Sequence, residues 1–468
     1  MKVLFIQPFS NVTGSNHLPV GFLYISAYML AHSKHEIKII DLRAKRTPIE
    51  SKTNEILQWK PDIVGITGLS IEWSGIKHVT KVIRELLGKN IPIVAGGAHA
   101  TCFSKLVMKD TSVDYIVKNE GERTFLALVN ALGKGEDVQN IKGIVYRKNG
   151  AIVDTGQCEF IEDIDEIPFP AYHLLDMEVY FDNPRFHTSM NIHNRVMPIL
   201  SARGCPFQCK FCVRILGYKF RTRSAENVLA EIDWLVKTYN VRELHIEDDA
   251  FNTNMKRAKN IMQGIIDRDY HLSIILSTGI RGDLVDQELI DVFKKAGVFR
   301  IGYGVETTHP RIQNMIKKEL DFDKLEKSIL MANRAGISTN GFFIIGFPTE
   351  TEQEMMATIN YALKSKLATA VFSILKLFPG TALAEEYLTY DPDFNDDFTF
   401  SFDSPIMPNH SAISDKRLMQ LRRFAFIRFY FNPSRIWRIF RTTPNKKNLI
   451  TRNLNIVLSL IFKGTAKY

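Results

Sequence analysis

Short apolar runs alternate with helical patterns along most of this 468-residue chain. A first series of five runs occupies residues 3–6, 37–41, 62–67, 91–95 and 115–117, and a second series of six begins just before Ser201. Strands separated by helices pair in parallel, because each helix carries the chain back along the sheet. The alternation therefore predicts two parallel sheets, one for each series.

The predicted fold class is α/β. The first series predicts an N-terminal Rossmann-like, doubly wound parallel sheet, and the second predicts a partial (β/α)6 barrel of the TIM type, followed by a C-terminal helical tail. A mass of 53.5 kDa exceeds what one core normally supports. We expect four segments, at residues 1–135, 136–197, 198–385 and 386–468, in which the second is a linker with a hairpin turned by Asn149 and Gly150.

The positive charge of the chain is concentrated in the tail. Residues 416–468 hold thirteen Lys or Arg and no acidic residue, so the rest of the chain has 47 basic against 51 acidic side chains. Two helices are predicted there, with Leu418, Leu421, Phe424, Ala425 and Ile427 at core-like spacing. The tail could pack on the barrel, offer Arg to an anionic substrate, or lie on an anionic membrane surface. No run of about 20 apolar residues predicts a spanning helix.

Three of the five cysteines, Cys205, Cys209 and Cys212, lie in one C-x3-C-x2-C loop after an apolar run, with an aromatic residue before the last. Three thiolates suit a [4Fe-4S] cluster that leaves one iron open, because cluster irons normally have four cysteine ligands. Zinc would need a fourth nearby ligand, which the sequence lacks. A disulfide framework is disfavoured by five sparse cysteines and by the absence of a secretory signal, so we expect a reducing, cytoplasmic compartment.

The motif R-G-C-P-F-x-C-x-F-C resembles the cluster motif of the radical S-adenosylmethionine (SAM) superfamily. The resemblance implies that SAM binds the open iron and is cleaved by one electron to methionine and a 5′-deoxyadenosyl radical. Functional residues of such a barrel should lie at the carboxyl ends of its strands. By resemblance, Asp248 and Asp249 would contact the SAM amino group, while Arg281 and Glu306 would lie near its carboxylate or ribose.

The strand ends of the first domain carry Gly14, Ser70 and a G-G-x-H-x-T motif. This motif, with E-G-E after the fifth strand, resembles the N-terminal domain of cobalamin-dependent radical SAM enzymes. The resemblance implies that Ser70 and the motif positions contact cobalamin; these positions are Gly96, Gly97, His99 and Thr101. The sequence has no D-x-H-x-x-G, so we expect no histidine from this domain on the lower face of cobalt.

The resemblance implies methylation of an unactivated carbon in a small-molecule or lipid-like substrate, with cobalamin delivering the methyl group and a second SAM restoring it. An oxygen-independent oxidative cyclase resembling the magnesium-protoporphyrin monomethyl ester enzyme is the alternative, as is a radical SAM enzyme that has lost cobalamin. A methylthiotransferase or a cobalamin sensor is less consistent with the cysteines. We expect an electron donor such as flavodoxin or ferredoxin, no nucleic acid, and peripheral membrane contact through residues 416–468.

Overall fold

The computed structural model describes residues 1–9, 17–182, 191–388 and 408–444. Gly14 and the last part of the basic tail, residues 445–468, lie outside these ranges. The chain divides into two compact units. Among the described residues, the first unit holds 1–182 and Ile215–Gly217, and the second holds the others. No helix in the described ranges combines the length and the apolar character needed to cross a membrane.

The first unit is built on a sheet with the strand order β2-β1-β3-β4-β5-β6-β7. Its first five strands are parallel, which confirms the doubly wound sheet expected from the sequence. They are β1 (Lys2–Gln7), β2 (Glu36–Asp41), β3 (Ile63–Thr67), β4 (Ile93–Gly96) and β5 (Tyr115–Val117). Residues 3–6 of β1 are completely buried, as expected for a central parallel strand with helices on both faces.

Seven helices lie in the described part of this unit. They are α1 (Val20–His32), α2 (Thr53–Trp59), α3 (Trp73–Leu87), α4 (Gly97–Cys102), α5 (Ser104–Asp110), α6 (Glu122–Lys134) and α7 (Met177–Asp182). The helix α1 packs beside α6, and α2 packs beside α3. The left-handed conformation of Gly135 (φ +70°) ends α6, because a residue without Cβ adopts it without steric cost.

The hairpin at residues 144–154 is part of this first sheet and not of a linker, which differs from the segment boundaries expected from the sequence. Its strands, β6 (Ile144–Lys148) and β7 (Ala151–Asp154), continue the sheet beyond β5 in antiparallel orientation. Pairing with β6 satisfies the backbone groups on the otherwise free edge of β5. The predicted turn is confirmed, since both Asn149 (φ +51°) and Gly150 (φ +81°) have the positive φ that a type I′ turn requires.

The second unit contains a six-stranded parallel sheet in sequential order, β15-β14-β13-β12-β11-β8, as predicted for a partial barrel. Two further short strands form a separate antiparallel ribbon. The strands are β8 (Val196–Ile199), β9 (Ala202–Arg203), β10 (Arg221–Thr222), β11 (Glu243–Ile246), β12 (Ser273–Ile280), β13 (Val298–Glu306), β14 (Ser338–Ile345) and β15 (Thr369–Ile374).

Polar caps begin most helices of this unit. The predicted cap at Ser224 is confirmed, since its hydroxyl accepts from the N–H of Asn227, and Asp286 and Thr351 cap later helices in the same way. The helices are α8 (Ala225–Tyr239), α9 (Met255–Asp267), α10 (Gln287–Ala296), α11 (Pro310–Met315), α12 (Phe322–Arg334), α13 (Glu352–Lys364), α14 (Ala382–Tyr387), α15 (Asp415–Tyr430) and α16 (Pro433–Thr442). Six 3-10 segments complete the described structure: Ile49–Lys52, Ser70–Glu72, Ile164–Glu166, Tyr172–Leu174, Phe251–Thr253 and Gly282–Leu284.

The helix α15 covers the outer edge of β15. The Tyr430 hydroxyl accepts from the N–H of Ala370 (3.1 Å) and donates to its C=O (2.9 Å), and Arg422 Nε donates to the C=O of Phe372 (2.9 Å). A free strand edge would otherwise expose these backbone groups for pairing with another chain. The first part of the basic tail therefore has a structural role, which is to cover the edge of β15.

The buried side of α15 differs partly from the sequence prediction. Leu418, Leu421 and Ala425 are buried as predicted, but Phe424 and Ile427 are 40% and 41% exposed. The buried stripe continues to Phe429, four residues after Ala425, so it leaves Phe424 and Ile427 on the flanks of the helix.

Candidate functional site

The three cysteines lie on a loop, residues 204–220, that a short ribbon closes at its base. Arg203 of β9 pairs with Arg221 of β10, and Ala202 pairs with Thr222. The ribbon follows β8, whose carboxyl end lies at the functional edge of a β/α barrel. The loop is therefore anchored at both ends beside the sheet.

Asp248, two residues after β11, fixes the entry to this loop. Its carboxylate accepts hydrogen bonds from the N–H of Ser201 (2.5 Å), the hydroxyl of Ser201 (2.5 Å) and the N–H of Ala202 (3.1 Å). Burial raises the pKa of Asp248 to about 6, although Ser201 and Arg257 act in the opposite direction. These protein donors give Asp248 a supporting contact to the loop, while its contact with the SAM amino group stays a prediction.

Asp249 has a different environment from its neighbour. The residue as a whole is exposed, but desolvation of its carboxylate still raises its pKa, and the Arg214 guanidinium opposes that rise. The charge of Asp249 also raises the pKa of the Cys205 and Cys212 thiols, so it lies close enough to interact with both. Asp249 is therefore the carboxylate of the pair that accompanies the cysteines.

The cysteine thiols form an electrostatically coupled group. Cys205, Cys209 and Cys212 are all free, and desolvation of the Cys212 sulfur, with the nearby Cys209 and Asp249, raises its pKa to about 12, although the residue as a whole is exposed. Neighbouring thiolates repel one another, whereas a bound metal centre stabilises the deprotonated form. Such a set of donors binds a cationic centre far better in the thiolate than in the thiol form.

Arg281, after β12, contacts the loop from one side. Its guanidinium lies 4.5 Å from the centre of the Phe207 ring, between the first two cysteines. It pairs with both carboxylate oxygens of Asp283 (2.8 and 2.5 Å) and donates to the backbone C=O of Lys318 (2.9 Å) and Glu319 (3.1 Å). These contacts use most of its N–H donors. Arg281, which is expected from the sequence to lie near the SAM carboxylate or ribose, is thus already bonded to other groups of the protein.

Glu306 ends β13 in an unusual conformation. Its φ of +64° is in the left-handed region, which costs free energy for a residue with a Cβ and often occurs at functional sites. Lys318 Nζ lies 3.4 Å from the Glu306 carboxylate, and both side chains are nearly buried. A Cβ on Gly304 would lie 3.0 Å from Glu306 Oε1 and 3.1 Å from Lys318 Nζ, so a larger residue there would have to push the pair aside by a few tenths of an ångström. Burial raises the pKa of Glu306, and Lys318 opposes the shift.

In the first unit, Ser70 and His99 meet at the carboxyl ends of β3 and β4. His99 Nδ1 is 3.1 Å from Ser70 Oγ, and its ring packs on Trp73 and Phe103 with centroid distances of 4.6 and 4.9 Å. Burial lowers the pKa of His99 to about 3, so the imidazole is neutral at physiological pH. The contact links the segment after β3 to α4.

The remaining motif positions shape the backbone at the same edge. Gly97 has a φ of +85°, and a Cβ there would lie 2.4 Å from Thr67 Oγ1, whereas Gly96 would meet no atom closer than 3.5 Å. Thr101 Oγ1 accepts from the N–H of Asn119 in the segment after β5 (3.1 Å). The five predicted positions therefore lie at the ends of β3 and β4, and Thr101 links them to the segment after β5.

One buried network at this edge was missed by the sequence reasoning. The Glu72 carboxylate accepts from Arg43 Nη1 (3.1 Å), Gln7 Nε2 (3.2 Å) and the N–H of Leu69 (2.9 Å). Glu72 is the last residue before α3, where an acidic residue is usual on a solvated helix start. No local pattern distinguishes it from such a residue.

Comparison with known proteins identifies both units. Residues 199–362 match the Radical SAM superfamily, and residues 8–129 match the B12 binding domain. An uncharacterized methyltransferase of Pyrococcus horikoshii is 31% identical over 92% of this chain and 93% of its own length. The chain belongs to the radical SAM superfamily. This radical SAM enzyme uses a [4Fe-4S] cluster, SAM and cobalamin as cofactors.

Two other proteins are similar to this radical SAM enzyme over most of its length. The anaerobic magnesium-protoporphyrin IX monomethyl ester cyclase of Rubrivivax gelatinosus is 28% identical over 92% of this chain and 79% of its own length. A structure of the radical SAM methyltransferase TsrM from Kitasatospora setae, with cobalamin and a [4Fe-4S] cluster bound, matches with a TM-score of 0.68 at 20% identity, covering 82% of this chain and 74% of that chain. At that identity the likeness concerns the fold.

The donors in this radical SAM enzyme fit the cluster. Within the described ranges, no three His, Cys, Asp or Glu side chains converge on one metal ion. A four-iron cluster takes its cysteines on separate irons, so the three free thiols on one loop are the donors that it needs. In the B12-binding unit, a Cβ on Gly96 would meet the Val117 carbonyl oxygen at an ordinary contact distance of 3.5 Å, while His99 is buried and turned toward Ser70.

Proposed function

We propose that this enzyme methylates an unactivated carbon of a small-molecule or lipid-like substrate. The observation that carries the proposal is the set of three free thiols on one closed loop at the carboxyl ends of a partial barrel, in a chain that also has a B12-binding unit. The similar protein from Pyrococcus horikoshii, named a methyltransferase, supports methyl transfer as the outcome.

In this proposal, Cys205, Cys209 and Cys212 hold the cluster and Asp249 accepts a hydrogen bond from the SAM amino group. When bound, the cluster supplies the electron that cleaves SAM, and cobalamin carries the methyl group to the substrate. Glu306, kept in place by Lys318, faces the SAM ribose, and Asp248 and Arg281 keep the loop in position. Ser70, Gly96, Gly97, His99 and Thr101 shape the strand ends that receive cobalamin.

The cluster assignment is tested by anaerobic reconstitution of the full chain, followed by iron analysis and by measurement of 5′-deoxyadenosine after addition of SAM and dithionite. We expect about four irons per chain and deoxyadenosine formation. The Cys209→Ala variant should lose both, whereas Cys102→Ala, which alters a free cysteine in the first unit, should keep both. Unchanged deoxyadenosine formation by the Cys209 variant would refute the proposed site.

The methyl-transfer proposal needs its own experiment, because a cyclase would also form deoxyadenosine. SAM with a trideuterated methyl group is incubated with the reconstituted enzyme and a metabolite extract, and products are followed by mass spectrometry. Methylation adds 17 mass units to a product, counting the three deuterium atoms in place of the replaced hydrogen. Deoxyadenosine formation without any labelled product would favour the oxidative cyclase, for which the similarity to the Rubrivivax gelatinosus enzyme is the supporting observation. The reducing electron would come from a flavodoxin or a ferredoxin.

We also propose that the C-terminal helices contact the cytoplasmic face of an anionic membrane. In the described part of the C-terminal region, the most exposed large apolar side chains are Phe431, Ile436 and Trp437, which are 56–64% exposed, whereas Phe424, Ile427 and Phe440 are 36–41% exposed. Arg438 and Arg441 lie on the same helix, α16, and no acidic residue follows Asp415. Aromatic and aliphatic side chains beside cations suit the interface of anionic lipids.

The membrane proposal is tested by cosedimentation with vesicles of phosphatidylglycerol and phosphatidylcholine at low salt. Trp437→Ala should reduce binding, while Leu57→Ala, which removes an equally apolar exposed side chain from the first unit, should not. Point variants are preferable to truncation at residue 415, which would also uncover the β15 edge. Equal binding of both variants would refute the proposal.

A further inference from the structure

The middle of the cysteine loop is held by two segments that carry no cofactor motif. The N–H of Lys210 donates to the C=O of Ile316 after α11 (2.9 Å), and the C=O of Lys210 accepts from the N–H of Leu383 in α14 (2.9 Å). Lys210 stands between Cys209 and Cys212. Both of its peptide groups are thus fixed, which restricts the backbone between the two cysteines.

Side chains reinforce this attachment. Phe211 packs against a buried apolar cluster and meets the ring of Phe347 edge to face, at a centroid distance of 6.0 Å. The cluster includes residues from α11, α14 and the segment after β14, namely Ile312, Ile316, Phe347, Leu377, Leu383 and Ala384. Apolar burial of this kind contributes about 25 cal/mol for each Å² removed from water. The residue before Cys212 is therefore fixed by its side chain as well as by its neighbour's backbone.

The same segment of chain carries a charge pair. Lys210 Nζ forms a salt bridge with the Glu386 carboxylate of α14, and the two side chains are 23% and 44% exposed. Lys210 is one residue from Cys209 and two from Cys212, so changing either partner of the salt bridge changes the charge carried by the cysteine loop and its attachment to α14. Net charge and solvent exposure around a cluster are among the features that set its reduction potential.

We propose that α14 is a positioning element for the cluster, in which Glu386 neutralises Lys210 and so sets the charge that the cluster experiences. The inference rests on the proposed cluster site at the three cysteines. Removing the carboxylate leaves the cation unbalanced, which stabilises the reduced, more negative cluster. Removing the cation leaves the carboxylate, which destabilises it.

The experiment measures the reduction potential of the reconstituted cluster by EPR-monitored titration of the full chain. We expect a positive shift for Glu386→Gln, a negative shift for Lys210→Gln, and a return toward the native potential in the double variant. The matched control is Glu385→Gln, which makes the same charge change on an exposed neighbour of the same helix. Release of iron to a chelator is measured in parallel, and it should be faster in both single variants and in the double variant, because each of them lacks the salt bridge.

Potential shifts of opposite sign in Glu386→Gln and Lys210→Gln, with no shift in Glu385→Gln, support the inference. A purely structural role would not give shifts whose sign depends on which charge is removed. Equal shifts for Glu386→Gln and Glu385→Gln, or no shift in any variant, would overturn it. The native chain separates this result from the proposed function. If the native chain binds a cluster and cleaves SAM, the function stands whatever the variants show, and if it binds none, the function itself fails.

Discussion

The Asp248 carboxylate accepts two hydrogen bonds of 2.5 Å from Ser201, one from the backbone N–H and one from the hydroxyl. This contact joins the end of β11 to the start of the cysteine loop across 47 residues of sequence. The two adjacent aspartates therefore have different surroundings: the Asp248 carboxylate is bonded to the start of the loop, and Asp249 lies close enough to the Cys205 and Cys212 thiols to raise their pKa.

We predict that Asp248→Ala lowers the free energy of unfolding by about 3 kcal/mol, because each buried donor left unpaired costs about 1–3 kcal/mol. Denaturant unfolding measures this change, and iron analysis after reconstitution should show reduced cluster content. Asp248→Asn should lose less, since its amide oxygen still accepts from the backbone N–H groups. A variant with full iron content but weakened SAM binding would instead support the direct SAM contact expected from the sequence.

We predict that Arg281 and Phe207 are energetically coupled. A double-mutant cycle with Arg281→Met and Phe207→Leu should give a coupling of about 1–2 kcal/mol in the free energy of unfolding, as expected for a largely desolvated cation over an aromatic ring, since the Arg281 side chain is only 13% exposed. Additive effects of the two substitutions would show that the stacked geometry contributes nothing.

We predict that Ser70→Ala and His99→Phe each weaken cobalamin binding about fivefold. Each removes the hydrogen bond between the two side chains, which is worth about 1 kcal/mol, while Phe keeps the aromatic stacking of His99. Equilibrium dialysis measures the affinity, and Ser74→Ala, on the exposed side of α3, is the control.

The same variants decide whether His99 touches the metal. EPR of the Co(II) form should show no nitrogen coupling from the protein in either the native enzyme or His99→Phe, because the imidazole is buried against Ser70. Nitrogen coupling that disappears in His99→Phe would identify His99 as a cobalt ligand and contradict this account.

We predict a pH-dependent contribution of Glu350 to stability. Its Oε2 accepts from the N–H groups of Gly346 (2.7 Å) and Phe347 (2.9 Å), while Oε1 has no hydrogen-bond partner among the residues the structure describes. Burial raises the pKa of this carboxyl from 4.5 to about 7. Between these values the folded chain holds a proton that the unfolded chain releases, so the stabilisation falls as pH rises from about 4.5 to about 7.

The measurement compares the free energy of unfolding of the native chain and Glu350→Gln across this range. Their difference should decrease by about 3 kcal/mol and then stay constant. Glu354→Gln is the contrasting control, because the Arg311 guanidinium lowers the pKa of Glu354 to about 2, so its contribution is lost only as pH falls below about 4.5. A difference for Glu350 that rises with pH would contradict the assignment.

Local sequence patterns were enough to predict the two parallel sheets, the Asn149-Gly150 turn, the cap at Ser224 and the cysteine loop. All of these follow from local features: hydrophobic period, β-turn chemistry, capping residues and the spacing of cysteines within eight residues. The basic character of the tail is likewise visible in its composition.

The partners of these features in space became visible in the folded chain and not in the sequence. In the folded chain, the hairpin belongs to the first sheet and α15 covers the edge of β15. Asp248 and Asp249 have different surroundings, and Glu386 lies beside Lys210, from which it is 176 residues away in the sequence. Such contacts depend on the path of the chain through space, which no short pattern records. Glu386 and Glu385 are alike in sequence, and the geometry of one helical turn gives only Glu386 the salt bridge.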